Sequence, residues 1–303
     1  MSLTVPPTKK VKHGLRDQTL PDFELLSEAP CPVDRVRPEF EYIPQMLTAN
    51  EVDSIQGYAS ASLGDDPSSK HFICRKKSIA FVLLVGGSVY PLQRDYFVQN
   101  ASYNDFSGGL RRYYTTIPDD VLQSSLKGPI LRFAEYWGIP DRSVVLVQLQ
   151  SSIIDPSDAT ESGPEDDAKR FAHGRNDVTG QGIHTDGADR AMLLCCERAN
   201  VLGAENSFHA SLDGARPLCA PRALAPGDAL LFKDNALFHH VSDAFPADPA
   251  RPMSRTMLLM HYPGEIYLDG ARNPANVLPA RPSPIVLRAR ADRGDPRSGA
   301  LSS

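Results

Sequence analysis

From residue 182 to residue 262 the chain is a succession of short apolar runs cut by turn residues. Met192-Leu193-Leu194-Cys195-Cys196, Ser207-Phe208-His209-Ala210, Ala229-Leu230-Leu231-Phe232, 236–242 and 255–262 are the runs, and Pro226-Gly227-Asp228 and Asp234-Asn235 separate the later ones. Short runs of β-forming residues bounded by Gly, Pro, Asp and Asn read as strands joined by turns rather than as helices. The chain holds 26 Pro against 21 Gly, which also disfavours long helices. The expected class is therefore mainly β with some α+β character: a double-stranded β-helix, or jelly roll, with a few flanking helices.

The N-terminal half supplies those helices and further strands. Thr48-Ala49-Asn50-Glu51 has the capping-box pattern and predicts a helix running to Ser62, with Gly64 beyond it. A second helical segment starts at Pro118-Asp119-Asp120 and restarts at Pro129; Ile130, Phe133, Ala134 and Trp137 form its core face, and Gly138 stops it. Strands are expected over 79–85, 96–98, 110–116 and 144–154. In 110–116, alternation sets Arg111, Tyr113 and Thr115 on one face and Arg112, Tyr114 and Thr116 on the other, so one face carries an arginine that could be buried. In 144–154, Gln148 and Gln150 share a face. Residues 1–36 read as a loose leader, 37–264 as the jelly-roll domain, and 265–303 as a Pro/Arg-rich extension, partly disordered. The acidic stretch 155–167 reads as a solvated surface loop.

Composition excludes some partners. Net charge is -5 and the cations are scattered, so neither nucleic acid nor an anionic membrane is expected. Lys9, Lys10 and Lys12 are followed by no apolar run, and the apolar stretch 79–86 is too short to span a bilayer. The five cysteines, Cys31, Cys74, Cys195, Cys196 and Cys219, have no zinc or disulfide spacing. A cytoplasmic protein acting on a small molecule is the expectation.

The chemistry-bearing residues lie in the strand-rich half. In Gly182-Ile183-His184-Thr185-Asp186-Gly187, an extended backbone would place His184 and Asp186 on one face. A His-x-Asp triplet alone is weak evidence. A further ligand must come from a distant strand, and Leu237-Phe238-His239-His240-Val241 offers two. Alternation puts His239 with Leu237 and Val241 on an aliphatic face, as a barrel interior requires, and leaves His240 with Phe238. Two His and one carboxylate leave open metal positions, the arrangement of non-haem Fe(II) oxygenases. Arg255 opens an apolar strand where a cation must be paired; alone it reads as a strand-end salt bridge, but after the two preceding motifs it reads as the anchor of an acidic cosubstrate. His209 and His261 read as structural or exposed, and Cys195 and Cys196 as core residues.

The series His184-Thr185-Asp186-Gly187, Asn200-Val201-Leu202-Gly203-Ala204, Phe238-His239-His240-Val241 and Arg255-Thr256-Met257-Leu258-Leu259 resembles the Fe(II)/2-oxoglutarate dioxygenase family that includes bacterial L-isoleucine 4-hydroxylase. Leu110-Arg111-Arg112-Tyr113 and Val147-Gln148-Leu149-Gln150 fall where that family has comparable strands, so the likeness spans roughly 40–262. It implies His184, Asp186 and His239 as iron ligands and Arg255 as the 2-oxoglutarate anchor, with O2 as oxidant and succinate and CO2 as co-products. Two further expectations come from the residues themselves: a buried Arg111 wants an anion, a substrate carboxylate or a structural ion pair, and an inward Gln148 would hydrogen-bond the cosubstrate or fill the core. The implied activity is hydroxylation of an unactivated C–H bond in a free amino acid or amino-acid-derived small molecule. Alternatives are a natural-product tailoring oxygenase performing desaturation or cyclisation, a zinc hydrolase, and a non-catalytic jelly-roll binding protein. Ala204 stands where the family has a second Gly and Thr256 where it has Asp. The segment 155–180 and the tail after 264 look peculiar to this chain.

Overall fold

The computed structural model describes residues 38–67, 74–100, 102–104, 108–155 and 182–268. The expected leader, nearly all of the 155–180 segment and the tail beyond 268 lie outside the described residues. In chain order the elements are β1 (Phe40–Ile43), α1 (Ala49–Ser62), β2 (Cys74–Val85), β3 (Ser88–Leu92), β4 (Tyr96–Phe97), β5 (Arg112–Tyr113), β6 (Thr115–Thr116), α2 (Asp119–Val121) and α3 (Lys127–Trp137). There follow β7 (Val144–Ile154), β8 (Arg190–Ala199), β9 (Val201–Gly203), β10 (Asn206–His209), β11 (Ala229–Phe232), β12 (Phe238–Val241), β13 (Ala244–Pro246) and β14 (Met253–Tyr262).

The main sheet runs β1-β11-β8-β14-β7-β2-β3, with β6 joined in parallel to β2, and three two-stranded ribbons, β10-β12, β13-β9 and β4-β5, complete the strand set. This is a double-stranded β-helix with flanking helices. No described helix is long and apolar enough to cross a membrane.

Strand alternation divides the main sheet into two unlike faces. Val82 and Leu84 of β2, Val145, Val147 and Leu149 of β7, Leu194 of β8 and Leu258 and Met260 of β14 pack on Ile55 of α1 and on Ile130 and Phe133 of α3. The other face mixes Ile79, Phe81 and Leu146 with buried polar groups: Arg75 and Lys77 on β2, Gln148 on β7, and Arg255 and His261 on β14. Helix α1 is positioned by its sequence-predicted cap: Thr48 Oγ1 accepts from Glu51 N–H, and the Glu51 carboxylate accepts from Thr48 N–H at 3.0 Å.

Two local expectations need correction. The run 110–116 is not one strand: β5 pairs with β4 and β6 pairs with β2, so the chain changes partner at Tyr114. Alternation survives the change, but the inward face carries Arg112 and buried Tyr114, and Arg111 is exposed. Pro129 stands in the first turn of α3, as expected, and a π-helical stretch, Leu122–Leu126, joins α2 to α3. The His184 segment is not a regular strand. His184 makes an isolated bridge to His239, and Asp186 lies in an irregular turn before β8.

Candidate metal centre

Short strand β12 delivers the first donor. Leu237, His239 and Val241 are buried while Phe238 and His240 are less so, as the period-two pattern requires. Opposite it, His184 pairs with His239 through both backbone hydrogen bonds, at 2.9 and 2.7 Å. Directly bridged residues project their side chains together, and the two imidazole centroids lie 4.2 Å apart.

Asp186 reaches the same place by a different device. The carboxylate of Asp234, fully buried, accepts from the backbone N–H of Asp186 at 3.1 Å and of Ala188 at 2.9 Å and from the Thr185 hydroxyl at 2.9 Å. These bonds curl residues 185–188 so that Asp186 turns back beside His184. Gly187 completes the turn with φ 87°, and a Cβ there would sit 2.5 Å from the Tyr103 ring, so glycine is required twice over.

The result is one ligand atom from each of His184, Asp186 and His239, all within 4.8 Å of one another. His184 Nε2 is 3.8 Å from Asp186 Oδ1 and His239 Nε2 is 3.6 Å from Asp186 Oδ2, separations too long for hydrogen bonds. His184 Nδ1–H donates to the Gly182 carbonyl at 2.9 Å, which leaves the Nε2 lone pair facing the cluster. His239 Nε2 is buried with no hydrogen-bond partner among the described residues, although Asp234 Oδ1 lies 3.3 Å away. An orphaned ring nitrogen among carboxylates is what a divalent cation satisfies, so these residues fit a metal.

Electrostatics agree. Burial would lower His239, but the Asp186 and Asp234 carboxylates outweigh it and push the imidazole up to about 10. Burial and then the His239 charge lower His184. Burial would raise Asp186, yet His239 and His261 hold its carboxyl well below the usual carboxylate range. Asp186 is thus an anion crowded by imidazoles, awaiting a cation.

Further groups aim that carboxylate. Gln99 Nε2 donates to Oδ1 at 2.9 Å, His261 Nε2 lies 3.1 Å from Oδ2, and the Tyr267 hydroxyl donates to the Asp186 carbonyl at 3.2 Å. Gln148 Nε2 lies 3.1 Å from His261 Nδ1. An amide nitrogen only donates, so Nδ1 accepts and His261 must present Nε2–H to Asp186. Gln148, expected toward the cosubstrate, touches His261 here. His261 is buried and bonded rather than merely structural or exposed, and its signal was available: it shares a strand face with Arg255, six residues earlier. Gln99 and the role of Asp234 carried no such signal.

Arg255 is 5% exposed on that same face, and among the described residues no carboxylate lies within ion-pair distance of its guanidinium. Burial lowers it to about 10. Thr256 points to the opposite face, where it donates to Glu197 at 2.9 Å; the neighbouring strand supplies the carboxylate that the sequence lacks at 256 itself. Arg111 lies over the Tyr96 ring at 5.0 Å on the outside, whereas Arg112 lies over Phe97 at 4.3 Å and reaches Gln99 Oε1 at 3.2 Å. Arg111 therefore does not face the metal cluster and Arg112 does.

The chain matches the family model for 2OG-Fe dioxygenases over residues 58–137 and 170–261, more than half of its length. It belongs to that family, whose enzymes use Fe(II), 2-oxoglutarate and O2, and it is an oxygenase. Three solved structures share the fold. A bsmA homolog from Methylobium petroleophilum PM1 aligns at 18% identity and TM-score 0.55, covering 74% of this chain and 87% of that one. IDO from Bacillus thuringiensis aligns at 16% and 0.54, covering 74% and 92%. The Fe(II)/(alpha)ketoglutarate-dependent dioxygenase TqaL aligns at 14% and 0.51, covering 74% and 81%. No curated protein matches the chain.

Proposed function

We propose that this enzyme hydroxylates an unactivated C–H bond of a free amino acid or amino-acid-derived small molecule, with iron held by His184, Asp186 and His239 and the far carboxylate of 2-oxoglutarate held by Arg255. The observation that carries the reading is the convergence of three donors within 4.8 Å around an orphaned His239 Nε2. A buried guanidinium with no carboxylate partner among the described residues is the natural grip for a dicarboxylic cosubstrate, because it offers two parallel hydrogen bonds. A zinc hydrolase would have no use for it.

Fe(II), 2-oxoglutarate and O2 together supply the oxidising power for C–H cleavage, with succinate and CO2 as co-products. The chain's own residues orient and exclude. His184 is fixed in the metal-binding tautomer by Gly182, and Asp186 is aimed by Gln99 and His261. Phe97, Tyr114 and Tyr267 wall the site with apolar surface that keeps water out. The amino-acid reading is supported by the motif series quoted above and by two further cations, Lys77 and Arg112, on the same side of the sheet.

The test is direct. Protein loaded anaerobically with Fe(II) and given 2-oxoglutarate and air should release succinate, and one of the free L-amino acids should accelerate that release and emerge heavier by one oxygen atom. A product lighter by two hydrogens would mark desaturation instead. No acceleration by any amino acid or simple carboxylic acid would overturn the substrate class.

A further inference from the structure

We propose that Lys77 and Arg112 form the subsite that receives the carboxylate group of the substrate, on an aromatic floor made by Phe97 and Tyr114. The inference rests on the small-acid reading above and says where the acid end docks.

Lys77 sits on β2 opposite Gln150 of β7, on the same face as Ile79 and Phe81. Its side chain is 7% exposed, and its ammonium lies 5.1 Å from the Phe97 centroid and 5.4 Å from that of Tyr114. The two rings stack at 5.2 Å with 9° between their planes. Cation–π attraction steadies an ammonium without giving it an acceptor. Among the described residues no hydrogen bond or ion pair reaches the Lys77 ammonium. Two carboxylates feel its charge: Asp66 is held by Arg75 at 2.7 Å, and Asp186 belongs to the metal cluster.

Arg112 is half-buried. It covers the Phe97 ring, gives Nη2 to Gln99 Oε1 and keeps Nε without a partner, and among the described residues no carboxylate lies within ion-pair distance of it. Two cations gathered on one apolar floor are costly unless an anion completes them. Burial draws Lys77 down to about 7, as expected for an ammonium still lacking that anion.

The subsite adjoins the metal cluster and is separate from Arg255. Gln99 touches both, accepting from Arg112 and donating to Asp186. The Tyr267 ring meets Phe97 edge-on at 6.1 Å while its hydroxyl bonds the Asp186 carbonyl. Arg255, by contrast, is on β14, with β7 between it and β2. Two strand spacings set their backbones roughly 10 Å apart. The face therefore carries two anion sites, one for each acid that must enter.

The experiment compares the wild type with Lys77→Met, whose apolar chain preserves packing, and Lys77→Arg, which preserves charge. Probes are the twenty L-amino acids, their carboxamides and the corresponding acids without the amino group. Readouts are KM values from succinate release by iron-loaded protein and the rise in melting temperature of metal-free protein; the melting temperature without probe checks folding. For the accepted acid, Lys77→Met should raise KM roughly tenfold to a hundredfold and abolish the melting-temperature rise, Lys77→Arg should recover part of both, and the 2-oxoglutarate KM should move less than about threefold. The carboxamide should bind wild type poorly and Lys77→Met no worse. An unchanged KM for the acid in Lys77→Met, or an equal rise in the 2-oxoglutarate KM, overturns the subsite and leaves the substrate class standing. No response of the wild type to any acid overturns both.

Discussion

The two faces of the main sheet are built from the same strands and solve opposite problems. On β14, Leu258 and Met260 pack into an aliphatic layer against the helices, while Arg255 and His261 look the other way. On β7, Val147 and Leu149 face the helices and Gln148 faces His261. The helix side is an aliphatic layer, and burial of apolar area stabilises it. The opposite side is left open in a chemical sense: among the described residues no carboxylate lies within ion-pair distance of Lys77, Arg112 or Arg255, and His239 Nε2 has no hydrogen-bond partner. Stability is concentrated in one face so that the other can remain incomplete until its ligands arrive.

Substitutions can break this comparison. The largest expected effect is at the cluster: His239→Ala should retain no Fe(II) after desalting and form no succinate, measured by metal analysis and product assay, with little loss of melting temperature. Next is Leu258→Ala on the helix side, fully buried, which should cost about 2–5 kcal/mol in denaturant unfolding yet leave Fe(II) affinity unchanged. His261→Phe should weaken Fe(II) binding roughly tenfold to a hundredfold in a competition titration, because Asp186 loses a fixed donor, with a smaller cost in stability. The smallest effect is a slope. Lys77 in the folded state is lowered to about 7, so between that value and the ordinary lysine range this side chain holds its proton more tightly in the unfolded chain, and its contribution to stability rises with pH by at most about 1.4 kcal/mol per unit. Lys77→Met should lack that slope; equal slopes in both proteins would show that Lys77 is not the buried amine described here.

Much of the aliphatic face was legible in the sequence because periodicity alone defines it. Strands β7 and β11 begin and end where the apolar runs do, and the Thr48 capping box starts α1. Alternation also singled out His239 over His240. The open face was harder to read, because its contacts join residues far apart in the chain. Asp234 works on Asp186 across 48 positions, and Gln99 across 87, separations that leave no pattern in a local window. Alternation separated Arg111 from Arg112 but could not say which faced inward, since pairing with β4 decides that. Ala204, standing where a second Gly was noted, adopts φ 48°, so the backbone keeps the left-handed turn with a less suitable residue.

The Asp234 carboxylate also fixes what the chain can tolerate by way of added or deleted residues. One end of the 234–239 stretch is tied to residues 185–188 by that carboxylate, and the other is tied to His184 by the paired backbone bonds of His239. The two segments form a ladder with both ends fastened, so a single residue gained or lost between Asp234 and His239 would throw the imidazole out of step with its neighbours. Outside that ladder the chain can change length without disturbing the distance between its ligands.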